Sequence, residues 1–159
     1  MITKKVCMLG ASAVGKTSLV RRFVDGGFSD RYLTTVGVKL DKKDLAVDGQ
    51  DVRLVLGDLS GEDEFAQLRT SYLRGAAGCL LIVDPTRPDT LEKADELRAK
   101  AVAELGDRPL LTIFNKADLK PDWKVESDTD ALETSAKTGD GVEDAFLRLS
   151  REVLAQAAR

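Results

Sequence analysis

The sequence predicts an α/β fold: a doubly wound, mainly parallel sheet with one antiparallel edge strand, in a single domain over residues 1–159. Three observations predict it. The short apolar runs Val6–Leu9, Cys79–Val83 and Leu110–Phe114 are continuous, the pattern of strands buried on both faces. Segments with apolar residues at helical spacing alternate with them, so the strands are joined by helical crossovers. Two further strand candidates, Val36 to Val47 and Val52 to Leu56, flank Asp48-Gly49, a dipeptide that favours a tight hairpin turn.

Taken in order, the first strand ends at Gly10, and Leu19, Val20, Phe23 and Val24 then mark one face of a helix. The hairpin follows. Residues Glu62 to Arg74 read as a polar, irregular helix. Behind the strand Cys79–Val83, Asp89 with Glu92 resembles a capping box, and Leu91, Ala94, Leu97, Ala101 and Leu105 form an apolar stripe. After Leu110–Phe114, Asp140 with Glu143 opens the last helix, with Val142, Phe146, Leu149 and Val153 facing inward.

Composition bounds the chemistry. The chain has 159 residues, 43% apolar and 32% charged, enough for one domain with a core of its own. Its net charge of −3 argues against sequence-independent nucleic-acid binding, which needs a cationic footprint. With no histidine there is no Ser-His-Asp or Cys-His catalysis and no histidine-ligated zinc. Cys7 and Cys79 lie inside apolar runs and read as core residues. No apolar run approaches the roughly 20 residues of a membrane span. Residue 2 is isoleucine and the chain ends Ala157-Ala158-Arg159, so no lipid anchor is expected, and the expected location is the cytoplasm.

In an open α/β sheet, ligands bind outside the carboxyl ends of the strands. After the first strand stands Gly10-Ala11-Ser12-Ala13-Val14-Gly15-Lys16-Thr17, the pattern G-x-x-x-x-G-K-[ST]. Its glycines let the backbone wrap an anion, and its N–H groups and the following helix start supply partial positive charge. Lys16 reaches outer phosphates and the Thr17 hydroxyl takes a Mg²⁺ position. Ser12, Ala13, Val14, Gly15 and Ser18 complete the phosphate-binding set.

After the third strand stands Asp58-Leu59-Ser60-Gly61. Asp58 is placed to hold Mg²⁺ and Gly61 to donate its N–H to a γ-phosphate; the plain alternative is a turn, for which Asp and Gly are good residues. After Phe114 stands Asn115-Lys116-Ala117-Asp118. A carboxylate such as Asp118 accepts two parallel N–H bonds from guanine, whereas adenine has no such donor pair and would leave it unpaired. Thr134-Ser135-Ala136-Lys137 near the end is composed for close backbone approach to the base, with the Ala136 N–H aimed at guanine O6.

Together these stretches resemble the Ras superfamily of small GTPases over essentially the whole chain, with a Rab-like flavour in Thr34-Thr35-Val36-Gly37-Val38 and Asp48-Gly49-Gln50. The chain is similar to lipid-free prokaryotic Ras-like proteins; the alternative is a domain cut from a longer protein. The resemblance implies a P-loop NTPase fold, bound GTP or GDP, Mg²⁺, and effector, exchange-factor and activating proteins as partners. It implies that Thr35 covers Mg²⁺ and the γ-phosphate, and that Phe28 clamps the guanine; burial in the core is the other reading of Phe28. It carries the catalytic roles to Lys16, Thr35, Gly61 and position 62, and metal binding to Thr17, Thr35 and Asp58.

Three departures matter. One is the absence of the family's lipidated tail, so no membrane recruitment is expected. Where the family has a water-positioning glutamine, this chain has Glu62. The interval from Asn115 to Ser135 is shorter than the family's, and Lys120 to Asp130 lacks an apolar stripe. The fourth helix is therefore expected to be shortened or missing, with Trp123 folded down as a lid over the core. Three functions follow: a switch with slow GTP hydrolysis; a nucleotide-locked pseudo-GTPase in which Glu62 abolishes turnover; and, ranked last because Asp118 reads guanine, a small-metabolite kinase.

Overall fold

The structure is a computed structural model, and it describes residues 1–11, 13–24, 32–33, 38–59, 73, 75–125 and 131–157. Among the described residues seven strands form one sheet: β1 (Ile2–Gly10), β2 (Tyr32–Leu33), β3 (Val38–Val47), β4 (Gln50–Leu59), β5 (Ala76–Val83), β6 (Leu110–Phe114) and β7 (Leu132–Glu133). Their order is β2-β3-β4-β1-β5-β6-β7. The pairs β1–β4, β1–β5, β5–β6 and β6–β7 are parallel, and β3 pairs antiparallel with both β2 and β4. The expected mainly parallel sheet with one antiparallel strand towards an edge is present, and β2 extends it by two residues beyond β3.

Alternation along β1 explains the two layers. Val6 and Met8 face one side, where α1 (Lys16–Val24) and α3 (Val142–Ala157) pack through Leu19, Val20, Phe23, Phe146, Leu149 and Val153. Phe23 stacks on Phe146 with ring centroids 4.0 Å apart. Cys7 and Leu9 face the other side, beneath Ala94, Leu97, Ala101 and Leu105 of α2 (Pro88–Leu105). Cys7 and Cys79 are fully buried free thiols in register on adjacent strands. Their mutual hydrogen bond and burial hold the Cys79 thiol protonated, far above the usual cysteine range.

Several boundaries differ from the sequence expectation, each for a local reason. β1 reaches back to Ile2 because the polar residues before Val6 still pair with β4. The hairpin strand β4 covers Gln50–Leu59, longer at both ends than Val52 to Leu56, because the turn is only Asp48 (φ +50°) and Gly49 (φ +84°) and pairing resumes at Val47 with Gln50. Asp89 does not cap α2: Arg87 is the cap position without a side-chain bond, and Pro88, whose ring pre-sets a helical φ, starts the helix. Asp140 does not cap α3 either, since the Gly141 carbonyl accepts the first helical bond, from Ala145 N at 3.0 Å. The proposed helix at Glu62 to Arg74 lies outside the described residues except for Leu73, which is buried.

The shortened fourth helix is borne out. Ala117–Asp122 forms a short 3₁₀ segment containing Pro121, and no α-helix occurs among the described residues from Ala117 to Val125. Trp123 caps this side of the core, its ring edge-on to Phe114 with centroids 6.0 Å apart.

Candidate nucleotide-binding site

Parallel strands share an end, so β1, β4, β5, β6 and β7 open on one edge of the sheet. The chain leaves them there through Gly10, Asp58, Asp84, Asn115 and Thr134. Residues far apart in sequence are thereby brought within hydrogen-bond reach.

The loop after β1 takes a backbone shape that side chains rarely adopt. Ala13 has φ +61° and Gly15 φ +103°, and a Cβ on Gly15 would lie 2.3 Å from Asn115 Nδ2. Lys16 begins α1 and is buried; its ammonium donates to the carbonyls of Gly10 (3.0 Å) and Ala11 (3.1 Å) and so lies over its own loop. One residue on, Thr17 Oγ1 donates to Asp58 Oδ2 at 2.6 Å, joining α1 to the end of β4.

Asn115, also buried, ties three loops together. Its Nδ2 donates to Val14 O (2.9 Å) and its Oδ1 accepts from Thr134 Oγ1 (3.0 Å). Lys116 adopts the left-handed conformation (φ +65°, ψ +40°), and its Nζ donates to Ala13 O (3.3 Å) and to Asp84 Oδ2 (2.7 Å). Asp118 Oδ1 accepts from Ser135 Oγ at 2.7 Å, and Ser135 Oγ in turn accepts from Thr138 N. Gly15, Ser18, Asn115, Lys116, Asp118, Leu119, Ala136 and Lys137 line a cavity of about 340 Å³. That volume is at the small end of ligand sites.

Asp84 is a further residue of the site that none of the motifs contains. This carboxylate is fully buried and accepts from Thr86 N (3.0 Å), Thr86 Oγ1 (2.6 Å), Arg87 Nε (3.2 Å) and Lys116. Burial pushes its pKa up, but the hydrogen bonds from Lys116 and Thr86 more than offset this and hold it below the ordinary aspartate value. The signal was available: Asp84 follows a buried strand directly, the same position that singled out Asp58. Arg22 is another such residue. Its guanidinium donates to Thr138 O at 2.8 Å and fixes α1 to the loop carrying Ala136.

The family model for the Ras family matches residues 5–155. The chain belongs to the Ras family. Among related proteins of this family, RabJ of Dictyostelium discoideum is 34% identical over 94% of the chain, and Rab-18-B of Danio rerio is 33% identical over 97%. The chain spans 63% of the length of RabJ and 80% of that of Rab-18-B. It is thus a Rab-like small GTPase by family, and Ras-family proteins bind guanine nucleotides. Of the expected site residues, Ser12, Phe28, Thr35, Gly61 and Glu62 lie outside the described residues. No described helix is long and apolar enough to cross a membrane.

Proposed function

We propose that this Ras-family chain is a guanine-nucleotide switch that binds GTP and GDP with Mg²⁺ at the strand ends and hydrolyses GTP slowly. The observation that carries this reading is the pair of bonds made by Asn115, to Val14 of the phosphate loop and to Thr134 of the base-side loop. Through them the two halves of a nucleotide site form one rigid unit.

The division of labour follows from the chemistry of each residue. Backbone N–H groups of the loop from Ala13 to Ser18 and the start of α1 face an anion, and Lys16 adds a full charge. Asp118, lining the cavity, reads the guanine N1 and N2 donors; Ala136 and Lys137 border the base, and Ser135 orients Asp118. Adenine offers an acceptor where guanine N1 donates, so it would leave the Asp118 carboxylate poorly paired.

The donor set also fits Mg²⁺. Thr17 and Asp58 place two hard oxygens side by side, and no group of three or more ligating acids, cysteines or histidines lies among the described residues. A site with so few protein ligands suits a cation that shares its shell with phosphates and water. When bound, Mg²⁺ neutralises charge on the phosphates. Thr35, Gly61 and Phe28 take their expected roles from the family pattern, and loss of the γ-phosphate would release the loops that carry Thr35 and Gly61 to effector and regulatory proteins.

Glu62 supports a second reading, a pseudo-GTPase locked in one nucleotide state, because an ionised carboxylate accepts but does not donate. Mass identification of the co-purifying nucleotide, followed by single-turnover hydrolysis with and without Mg²⁺, separates the readings. Bound guanine nucleotide and a rate on the order of 10⁻⁴ s⁻¹, the unassisted Ras scale, are expected. No detectable turnover favours the pseudo-GTPase, and equal affinity for ADP and GDP refutes the guanine assignment.

A further inference from the structure

The turn that carries Asp118 is held from beneath by a residue outside the four motif stretches. Leu119 N donates to the Lys116 carbonyl at 2.8 Å, closing a turn whose middle residues are Ala117 and Asp118. The same carbonyl accepts a second bond, 3.0 Å long, from Trp123 Nε1. Lys116 needs this support: a left-handed conformation at a residue with a Cβ is unfavourable and persists only where surrounding contacts over-determine it.

Trp123 is well anchored for the task. Its ring packs edge-on against Phe114, its own N–H donates to Lys120 O (3.1 Å), and the next residue, Lys124, donates to Pro85 O at 2.7 Å. The segment Trp123-Lys124 is therefore fastened to the ends of both β5 and β6. Lys120 stands over the indole at 5.4 Å and pairs with Glu133 on β7.

We propose that Trp123 is a positioning residue for base recognition: its indole N–H fixes the Lys116–Leu119 turn, and so the Asp118 carboxylate, in place of the support a full fourth helix would give. The proposal rests on Asp118 reading guanine. If Asp118 is held at the bonding distance of the guanine 2-amino group, loosening the turn weakens that contact specifically. GDP then loses more than IDP, which lacks the 2-amino group.

The test measures dissociation of GDP and of IDP from the full chain with Mg²⁺, and takes the ratio of the two rates. Two variants remove the indole donor. Trp123→Phe keeps an aromatic ring on Phe114. Replacement of tryptophan by its benzothienyl analogue during expression swaps the N–H for sulfur at constant shape, and changes one residue only because the chain has a single tryptophan. Each is expected to lower the preference for GDP over IDP by about three- to tenfold, the effect of one hydrogen bond. Equal acceleration of both nucleotides means Trp123 is merely structural and overturns the proposal, as does no change in either. Asp118→Asn, run alongside, should abolish most of the preference. If it does not, the guanine reading itself has failed, and the outcome is distinguishable from a failure of the Trp123 proposal.

Discussion

Replacing Asp84 should weaken both the fold and the grip on nucleotide. The carboxylate is fully buried and receives four hydrogen bonds, two of them from cations. Asp84→Ala leaves the Thr86 N–H and the Lys116 ammonium without that acceptor. Breaking a buried ion pair from one side costs about 3–5 kcal/mol. Here the cationic side chains are partly exposed, 32% for Lys116 and 38% for Arg87, so water recovers part of the loss. About 2–3 kcal/mol is the expected cost, a fall in Tm of roughly 5–10 °C for a domain of this size.

Asp84→Asn keeps an oxygen for Thr86 and presents its amide to Lys116, so it should cost about 1–2 kcal/mol. Because Lys116 also donates to Ala13 O, both variants should release GDP faster than wild type. The pH dependence has a definite sign. The folded pKa of Asp84 lies below the unfolded value of about 3.9. Its stabilisation is thus fully present above about pH 4 and is lost as pH falls through the lower, folded value. Asp84→Asn should flatten that acid limb. Thermal unfolding from pH 3 to 7 and GDP release by a fluorescent analogue test both parts. An Asp84→Ala protein within about 0.5 kcal/mol of wild type, the usual range for inconsequential surface changes, would refute the reasoning.

Gly15→Ala should cost about 2–4 kcal/mol and strip bound nucleotide, because the new Cβ would lie 2.3 Å from Asn115 Nδ2 at a φ of +103°; thermal unfolding and nucleotide content after gel filtration measure it. Lys16→Ala should lower GDP affinity by about two decades or more, since its ammonium is buried in the loop it would lend to phosphate, and a titration showing less than about a threefold loss contradicts the assignment. Glu62→Gln should speed single-turnover hydrolysis by about tenfold or more: a like charge about 5 Å from the γ-phosphate costs up to roughly 3 kcal/mol at an effective dielectric near 20, before Mg²⁺ and Lys16 offset part of it. An unchanged rate would show that the residue's charge does not limit the chemistry.

Elements are legible in the sequence where burial leaves a pattern. The apolar run Leu110–Phe114 matches β6 to the residue, and the inward faces of α2 and α3 follow from spacing alone, because a buried stripe must recur at the pitch of its element. Element starts are less legible. Asp89 with Glu92 looks like a cap, but Pro88 begins the helix, and Thr90, in the first turn, spends its hydroxyl on the carbonyls of Asp84 and Arg87. A cap is a competition among neighbours for one N–H, and the winner depends on where the preceding strand delivers the chain.

The strand–helix alternation, the Asp48-Gly49 turn, the phosphate-loop spacing and the short interval after Asn115 are all written in the sequence. These are properties of neighbouring residues, and local sterics and burial periodicity act on them before any long-range contact exists. How the pieces lock emerges with the folded chain: Asn115 onto Val14 across 101 positions, Lys116 between Ala13 and Asp84, and the Trp123 indole onto the Lys116 carbonyl. These bonds join groups that come within about 3 Å only because the parallel sheet brings five strand ends to one edge. A backbone carbonyl accepting from a distant indole leaves no trace in the identity of the residue that carries it.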